Sequence, residues 1–283
     1  MTKLDLSFDR PVTKPALAAT VVILRNAEKA NEGFEVLCVR RSAGSKFLGG
    51  AIVFPGGKVS SDDGPEDAQE DAWRTAACRE TLEEAAIALF AGRPVTHDEA
   101  VSYQRDLANG ETYRSLLARI GAQPDLGALV PLSRWVTPTQ EARRFDTMFY
   151  LVEAPQGQLG QNDATETDAS FWAAPKTVLD RFLRQEVALF PPTHRTLELL
   201  AAFDSAGAAT RAAKAAGARA LLPICPELTK HLDERGETLA LTLPGDPAHS
   251  IREARIAGLS RYVLRGEQWL PEEAPNVVAD AHS

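Results

Sequence analysis

The chain has 283 residues, of which 44% are hydrophobic and 25% charged, and this composition indicates a globular protein rather than a disordered or fibrous one. A net charge of −8 argues against long DNA or RNA as a partner, because proteins that bind phosphate backbones carry basic patches. Three cysteines without C-x-x-C spacing, and no apolar segment suited to a signal peptide or membrane span, lead us to expect a cytoplasmic protein that does not bind membranes.

The first third of the chain predicts two strands, a sharp turn and a helix. Apolar, β-branched segments predict strands at 18–25 and 34–39, joined by a polar loop, and a short third strand at 51–54. Pro55, Gly56 and Gly57 break that strand, and an acidic loop covers 60–71.

Helices dominate the prediction for the next segment. One helix is predicted at about 70–91, stopped by Gly92 and Pro94. Residues 96–121 predict two short helices that part near Asn109 and Gly110, with Thr96 as the N-cap of the first.

The remainder alternates strands and helices. Strands are predicted at 129–136, 145–152, 171–172, 239–243 and 262–264, with a turn at 244–247. Helices are predicted at 175–185 and 192–203, and the alanine-rich segment 206–220 is either a helix or a loose connector. We expect a mobile tail from Pro271. The alternation predicts an α/β or α+β fold.

Three glutamates in the first helix form the most informative pattern. Glu80, Glu83 and Glu84 lie at i, i+3 and i+4, so they share one helix face. Like charges there repel unless cations lie between them, and oxygen-only ligands suit Mg²⁺ or Mn²⁺. Arg79 is positioned to orient one of these carboxylates. The alternative is an acidic face that is merely solvated.

The glycine turn that precedes this helix favours the functional interpretation. Without a Cβ, Gly56 and Gly57 let the backbone approach a metal or a phosphate closely. Together the two segments resemble the Nudix box, G-x5-E-x7-R-E-U-x-E-E-x-G-U with U aliphatic, through Gly57, Arg79-Glu80, Glu83-Glu84 and Ile87. The resemblance implies that Glu80, Glu83 and Glu84 are catalytic metal ligands and that Arg79 orients the cluster.

The sequence departs from the box in three places. Gly57 and Arg79 are 22 positions apart, eight more than in the family pattern, so the first glutamate of the box has no unique match. The candidates for its place are Asp62, Asp63, Glu70 and Asp71. Thr81 replaces an aliphatic residue. Ala86 replaces the glycine that ends the helix, and we predict that the helix continues past Ala86 to Gly92, since alanine at positive φ costs about 1 kcal/mol.

Further segments resemble one branch of the family, the peroxisomal coenzyme A diphosphatases and their bacterial relatives. These segments are 134–138, 143–147 and 191–193, with Glu166 and Trp172. The resemblance covers about 15–205, and weakly 244–246. It implies an α/β fold, a Nudix α/β/α sandwich with a mixed sheet, a helical insertion at about 96–125 in a domain at 15–205, and a C-terminal extension at 206–283.

Several charged residues outside the box are candidates for the site. Arg40 and Arg41 close the second strand, and either bind substrate phosphate or lie on the surface. Arg144, next to Arg143, either binds substrate or forms an ion pair that braces the fold near Asp146. Glu166 is a candidate metal ligand or base, or else part of a solvated loop. His194, which begins a helix, is expected to be structural or capping.

The resemblance implies attack of a metal-activated water on one phosphorus of a diphosphate in a small nucleotide-derived substrate. Coenzyme A and its acyl esters are the favoured substrates. ADP-ribose, NADH and dinucleoside polyphosphates are alternatives, and a nucleotide sensor without catalysis is a third reading. A homodimer is plausible.

Overall fold

A computed structural model describes residues 4–9, 11–27, 33–44, 48–65, 68–163 and 166–274. The first half contains β1 (Ala16–Asn26), β2 (Phe34–Arg41), β3 (Ile52–Val53), β4 (Gly56–Lys58), α1 (Gln69–Ala85), α2 (His97–Ala108) and α3 (Tyr113–Ile120). The middle contains β5 (Val130–Val136), β6 (Phe145–Glu153), β7 (Thr167–Ala173), α4 (Pro175–Leu183) and α5 (Pro191–Leu200). The last part contains α6 (Ala206–Ala216), β8 (Pro223–Ile224), β9 (Glu227–Asp233), β10 (Gly236–Thr242), β11 (Arg261–Arg265) and β12 (Gln268–Glu272).

The main sheet is mixed, as predicted. Its order is β3-β2-β1-β6-β5-β8, with β4 paired to β1 and β7 paired to β2. The central pair, β1 and β6, is parallel, whereas β1 is antiparallel to both β2 and β4. Central strands of this kind are apolar on both faces because both are covered.

Successive residues of β1 serve two separate cores. Val21 and Ile23 belong to the core that contains α1 and residues of α2 and α3. Val22 and Leu24 belong to the second core, which includes residues of α4, α5 and the C-terminal strands. The period of two in a strand therefore produces helices on both sides of the sheet, and the α/β architecture is confirmed.

The predicted helical insertion consists of α2 and α3. The oxygen of the Thr96 side chain accepts from the Glu99 amide at 3.2 Å, and a Glu99 oxygen accepts from the Thr96 amide at 2.9 Å. This reciprocal pair is a capping box, so the predicted N-cap is confirmed. Among the described residues, no helix combines the length and apolarity that a membrane crossing requires.

The prediction that α1 continues to Gly92 is wrong. The helix ends at Ala85, and Ala86 adopts the left-handed conformation with φ 48° and ψ 41°. Its amide still donates to the Leu82 carbonyl at 3.1 Å. The chain turns here because Ile87 is fully buried in the first core, which outweighs about 1 kcal/mol of backbone strain.

The C-terminal region forms a second, antiparallel sheet of order β12-β11-β10-β9. The alanine-rich segment is helical over α6.

The expectation of a mobile tail from Pro271 is wrong at its start, since Pro271 lies in β12 and pairs with Tyr262. Proline is tolerated there because β12 is an edge strand. The rest of that expectation, beyond residue 274, lies outside the described residues.

Candidate active site

The glycine turn lies directly against the end of α1. Strand β4 pairs with β1, opposing Gly56 to Thr20. The Gly56 amide donates a hydrogen bond to Oε2 of Glu84 at 2.9 Å. The backbone of the turn therefore fixes a glutamate of the helix, although 28 positions separate the two residues.

Neither glycine of the turn leaves room for a side chain. A Cβ on Gly57 would lie 2.3 Å from Oε1 of Glu80, and one on Gly56 would lie 2.3 Å from the Ala19 carbonyl oxygen. Both distances are far inside van der Waals contact. The predicted close approach of the turn is thus observed, and its partners are a carboxylate and strand β1.

Arg79 joins the carboxylates of this site. Its Nη1 donates to Glu80 at 2.8 Å and to Glu83 at 2.9 Å. Its Nη2 donates to Asp63 at 2.8 Å and to the Lys58 carbonyl at 2.8 Å. The orienting role predicted for Arg79 therefore has a geometric basis, and it extends to two of the three glutamates.

Asp63 is the one of the four acidic candidates that binds Arg79. Its carboxylate is 1% exposed and also accepts from the Ser60 amide at 2.7 Å. Glu70, by contrast, pairs with Arg74 at 3.0 Å. Asp63 follows Gly57 by six positions, as the first glutamate of the box does, so the extra residues are inserted after it. This regular spacing was the signal that could have singled Asp63 out.

Burial and mutual repulsion disfavour charge on the glutamates. Burial raises the pKa of Glu80, attraction to Arg79 lowers it, and repulsion from Glu83 raises it again. The net result is a pKa of about 7. Burial and the charge of Glu80 raise the pKa of Glu84 to about 8. Burial likewise raises the pKa of Glu83. The charge of Glu166 adds to all three shifts, so Glu166 is an electrostatic neighbour of the cluster.

The donor set fits hard divalent cations. We name the active-site cluster by its members: Asp63, Glu80, Glu83, Glu84 and Glu166 with Arg79 and Arg41. Five carboxylates face two guanidinium groups, so a cation would relieve the repulsion that raises the glutamate pKa values.

The glutamates share a site without meeting at one point. Within the ranges that the structure describes, the group whose ligand atoms all lie within 4.8 Å of one another is His231, Asp233 and Glu272, not the three glutamates. In the active-site cluster, Arg79 bridges Glu80 and Glu83, while Glu84 is turned to the Gly56 amide.

The two strand-end arginines have different surroundings. Arg40 pairs with Asp168 at 2.6 Å on the exposed rim. Arg41 lines a cleft next to Gly56, and its charge lowers the pKa of Glu84 against the effect of burial. Arg41 is therefore the better placed of the two to meet a phosphate.

Arg144 is held by the backbone. It donates to the carbonyls of Thr137 at 3.1 Å and Thr13 at 2.5 Å. Asp146 forms its ion pair with Arg134, at 2.6 Å. The expectation that Arg143 or Arg144 forms an ion pair with Asp146 is therefore wrong. Arg134 of β5 opposes Met148 of β6, and Asp146 lies two residues before Met148 on the same face of the sheet.

Glu166 and His194 have different surroundings. Glu166 is exposed, and its carbonyl accepts from the Ser42 amide at 2.9 Å, which holds its loop beside the end of β2. His194 is buried and its Nδ1 lies 3.1 Å from the Tyr262 hydroxyl, in keeping with a structural role.

The helical insertion touches the site, which the sequence did not indicate. Nε2 of Gln104 donates to the Glu83 carbonyl at 2.9 Å and to the Gln161 carbonyl at 3.1 Å. The Gln161 amide in turn donates to the Ala85 carbonyl at 2.7 Å. One buried amide thus ties α2 to both α1 and the loop that precedes Glu166.

An apolar cleft opens beside Gly56 and Arg41. Its walls are mostly aromatic, aliphatic and proline side chains with four threonines, and none of the described residues that line it is acidic. The lining residues include Thr20, Trp135, Thr147, Phe149, Pro191, Thr193, Pro226 and Leu241. Periodicity alone did not predict this cleft because its walls come from distant segments.

Comparisons with known proteins agree with the site. A family model described as the NUDT19 Nudix domain matches residues 65–200. A Nudix hydrolase of known structure from Alicyclobacillus acidocaldarius is 30% identical, with a TM-score of 0.62, over 70% of this chain and 96% of that one. The chain therefore belongs to the Nudix hydrolase family, whose members generally use divalent metal ions.

Curated relatives narrow the resemblance. The acyl-coenzyme A diphosphatase NUDT19 of Gallus gallus is 30% identical over 61% of this chain and 62% of its own length. The protein of the same name from Homo sapiens is 27% identical over 62% of each chain. The chain thus spans about three fifths of the length of these relatives. The predicted resemblance to the coenzyme A diphosphatase branch is confirmed.

Proposed function

We propose that this protein is a divalent-metal-dependent diphosphatase that cleaves coenzyme A or its acyl esters. The products are phosphopantetheine, or its acylated form, and adenosine 3′,5′-bisphosphate. The observation that carries the proposal is the active-site cluster, in which five carboxylates outnumber two arginines beside a glycine turn. The names of the curated relatives support the choice of substrate.

Each residue of the cluster has a distinct task in the proposed reaction. Glu80, Glu83 and Glu84 would hold Mg²⁺ or Mn²⁺, with Glu166 as a further ligand. The bound ion neutralises diphosphate oxygens and lowers the pKa of water. Arg79 orients Glu80 and Glu83, and the Gly56 amide orients Glu84. Where Glu80 does not bind the ion, it is the carboxylate that helps to deprotonate the attacking water.

The surroundings of the cluster suit a substrate that is charged at one end. Arg41 meets a diphosphate oxygen where the cleft adjoins Gly56, and the backbone of Gly56 and Gly57 allows close approach. The apolar walls beyond it suit an uncharged group on one side of the diphosphate. We keep Arg40 and Arg144 as weaker candidates, since each already has a partner in the fold.

Two alternatives remain distinct from this proposal. ADP-ribose, NADH or a dinucleoside polyphosphate would use the same cluster but place a sugar or a nucleobase in the cleft. A nucleotide sensor without catalysis is disfavoured, because all three glutamates are present. The cytoplasmic location, a homodimer and the division at about residue 205 stand as further proposals.

A substrate panel tests the proposal. Coenzyme A, acyl-coenzyme A, ADP-ribose, NADH and a dinucleoside polyphosphate are incubated with Mg²⁺ or Mn²⁺, and the products are identified by mass spectrometry. We expect turnover of coenzyme A or its esters to exceed the others. Glu83→Gln should remove it, whereas the control Glu70→Gln on the same helix should not. Undiminished turnover by Glu83→Gln, or slow turnover of coenzyme substrates, contradicts the proposal.

A further inference from the structure

We propose that the C-terminal sheet is the far wall of the substrate cleft and selects the uncharged chain of the substrate, the pantetheine arm with its acyl group. This inference rests on the proposed function. It assigns a substrate-selecting role to residues of the C-terminal sheet, β9–β12, and the segment that leads into it.

The cleft runs across four strands of the main sheet. Gly56 on β4 opposes Thr20 on β1, and Thr20 opposes Phe149 on β6. On the next strand, Trp135 opposes Thr147. Three steps of about 4.8 Å between neighbouring strands give a span of roughly 14 Å from the carboxylate end to Trp135.

The C-terminal region closes the end of this span. Strand β8 joins the main sheet beside β5, where Ile224 opposes Trp135. Two residues later the chain reaches Pro226, which lines the cleft together with Leu241 of β10. Leu241 is 1% exposed, so it is a core residue on which the cleft wall rests.

The same sheet also fixes a neighbouring part of the wall. Pro191 and Thr193, at the start of α5, line the cleft. The Tyr262 hydroxyl of β11 donates to the Pro191 carbonyl at 3.5 Å and lies 3.1 Å from Nδ1 of His194. The first turn of α5 is therefore positioned by the C-terminal sheet rather than by the main sheet alone.

The charge distribution determines what kind of group fits. Among the described residues that line the cleft, Arg41 alone carries a charge, and it lies at the end next to Gly56. The far end offers apolar side chains and threonine hydroxyls. A diphosphate at the charged end would direct an uncharged, amide-containing chain along the cleft toward Leu241 and Pro226. The described residues at that end offer no ionic partner to a second charged nucleotide.

Leu241→Ala and Pro226→Ala test this assignment against Leu228→Ala. Leu228 opposes Leu241 across β9 and β10 and belongs to the same core, but it does not line the cleft. For wild type and variants, kcat/KM is measured on free coenzyme A and on acyl esters of increasing chain length. We expect Leu241→Ala and Pro226→Ala to raise the ratio of kcat/KM on long-chain acyl esters to kcat/KM on free coenzyme A by about threefold to tenfold. Leu228→Ala should leave this ratio unchanged.

Binding of S-acyl pantetheine by calorimetry separates this inference from the proposed function. If the wild type binds it but cuts no coenzyme substrate, the proposed function fails while the wall assignment can still be read from the variants' affinities. If the wall variants and Leu228→Ala give equal chain-length ratios and equal affinities, the wall assignment is overturned. Melting curves show whether each variant is folded. If Leu241→Ala does not fold, Pro226→Ala still tests the wall assignment.

Discussion

Two clusters of ionisable residues in this protein reach opposite electrostatic solutions. The active-site cluster has five carboxylates and two arginines. The C-terminal cluster, on β9, β11 and β12 and the turn after β10, has three carboxylates, two arginines and one histidine: Asp233, Asp246, Glu272, Arg261, Arg265 and His231. Both bring ligand-type atoms together, but carboxylates exceed arginines by three in the active-site cluster and by only one in the C-terminal cluster, which is therefore the nearly balanced one.

Arginines satisfy the C-terminal cluster. Arg261 binds buried Asp246 through two contacts of 2.6 and 2.9 Å. Arg265 binds both oxygens of Glu272 at 2.7 Å and also contacts Asp233. Hydrogen bonds from Arg265 lower the pKa of Asp233 and Glu272. Burial opposes the corresponding shift at Asp246, but its bonds to Arg261, the Ala248 amide and Ser260 still lower the pKa.

The difference shows why proximity of ligand atoms does not define a metal site. His231, Asp233 and Glu272 have three such atoms within 4.8 Å, yet Arg265 already compensates both carboxylates. In the active-site cluster the glutamate pKa values are raised, because burial and repulsion exceed what Arg79 and Arg41 supply. Uncompensated charge is therefore the better guide to a cation site than the spacing of ligand atoms.

The largest expected effect is on turnover. Glu84→Gln removes a charge from the unbalanced cluster while preserving shape, so kcat should fall by at least about 100-fold, as expected when a metal-binding contribution of several kcal/mol is lost. Steady-state kinetics at saturating Mg²⁺ measure this. Glu272→Gln, the same change in the balanced cluster, should leave kcat within about twofold. Equal losses in the two variants would erase the distinction between the clusters.

The second effect is on stability. Asp246→Ala leaves Arg261 buried without its partner, which should lower the free energy of unfolding by about 3–5 kcal/mol. Urea denaturation monitored by circular dichroism gives this value. The cation affinity of the folded variant should match that of the wild type. A large loss of cation affinity with unchanged stability would reverse the roles assigned to the two clusters.

A smaller effect tests the backbone beside the active-site cluster. Ala86→Val places a β-branched residue at positive φ, so it should destabilise the protein by about 2 kcal/mol. Ala86→Gly relieves strain but loses a buried methyl group, so it should change stability by less than about 1 kcal/mol. Thermal melts compare the variants. If Ala86→Val is as stable as the wild type, the left-handed helix end is incorrect.

The last effect is a pH dependence of opposite sign in the two clusters. Glu80 and Glu84 have folded pKa values of about 7 and 8, above the unfolded value of 4.5. The unfolded chain therefore loses these protons first, and the metal-free protein becomes less stable as pH rises from about 4.5 to 8. Mg²⁺ competes with the same protons, so the Tm increase that it causes should be larger at pH 8.5 than at pH 6.

The lowered pKa values of Asp233, Asp246 and Glu272 act in the other direction. Their stabilising contribution is complete above the unfolded pKa values and is lost as pH falls through the folded ones. Asp246→Ala should therefore flatten the loss of stability in acid without changing the response to Mg²⁺ between pH 6 and 8.5. A Tm increase that Mg²⁺ causes equally at both pH values would contradict the assignment of the raised shifts.

Local patterns predicted one cluster and not the other. Glu80, Glu83 and Glu84 are neighbours on a helix, so their spacing alone places them together, and the strands around them follow from a period of two. The C-terminal cluster joins residues as distant as Asp233 and Glu272, which strand pairing alone brings together. The cleft and the contact of Gln104 with Glu83 depend likewise on tertiary packing. Ala86 was mispredicted because core packing overcame its backbone preference.

Anomalous scattering from Mn²⁺ in crystals of the protein tests the central claim most directly. We expect peaks beside Glu80, Glu83 and Glu84 next to the Gly56–Gly57 turn, and no peak at His231, Asp233 and Glu272. Peaks at the C-terminal trio with none at the glutamates would contradict the account.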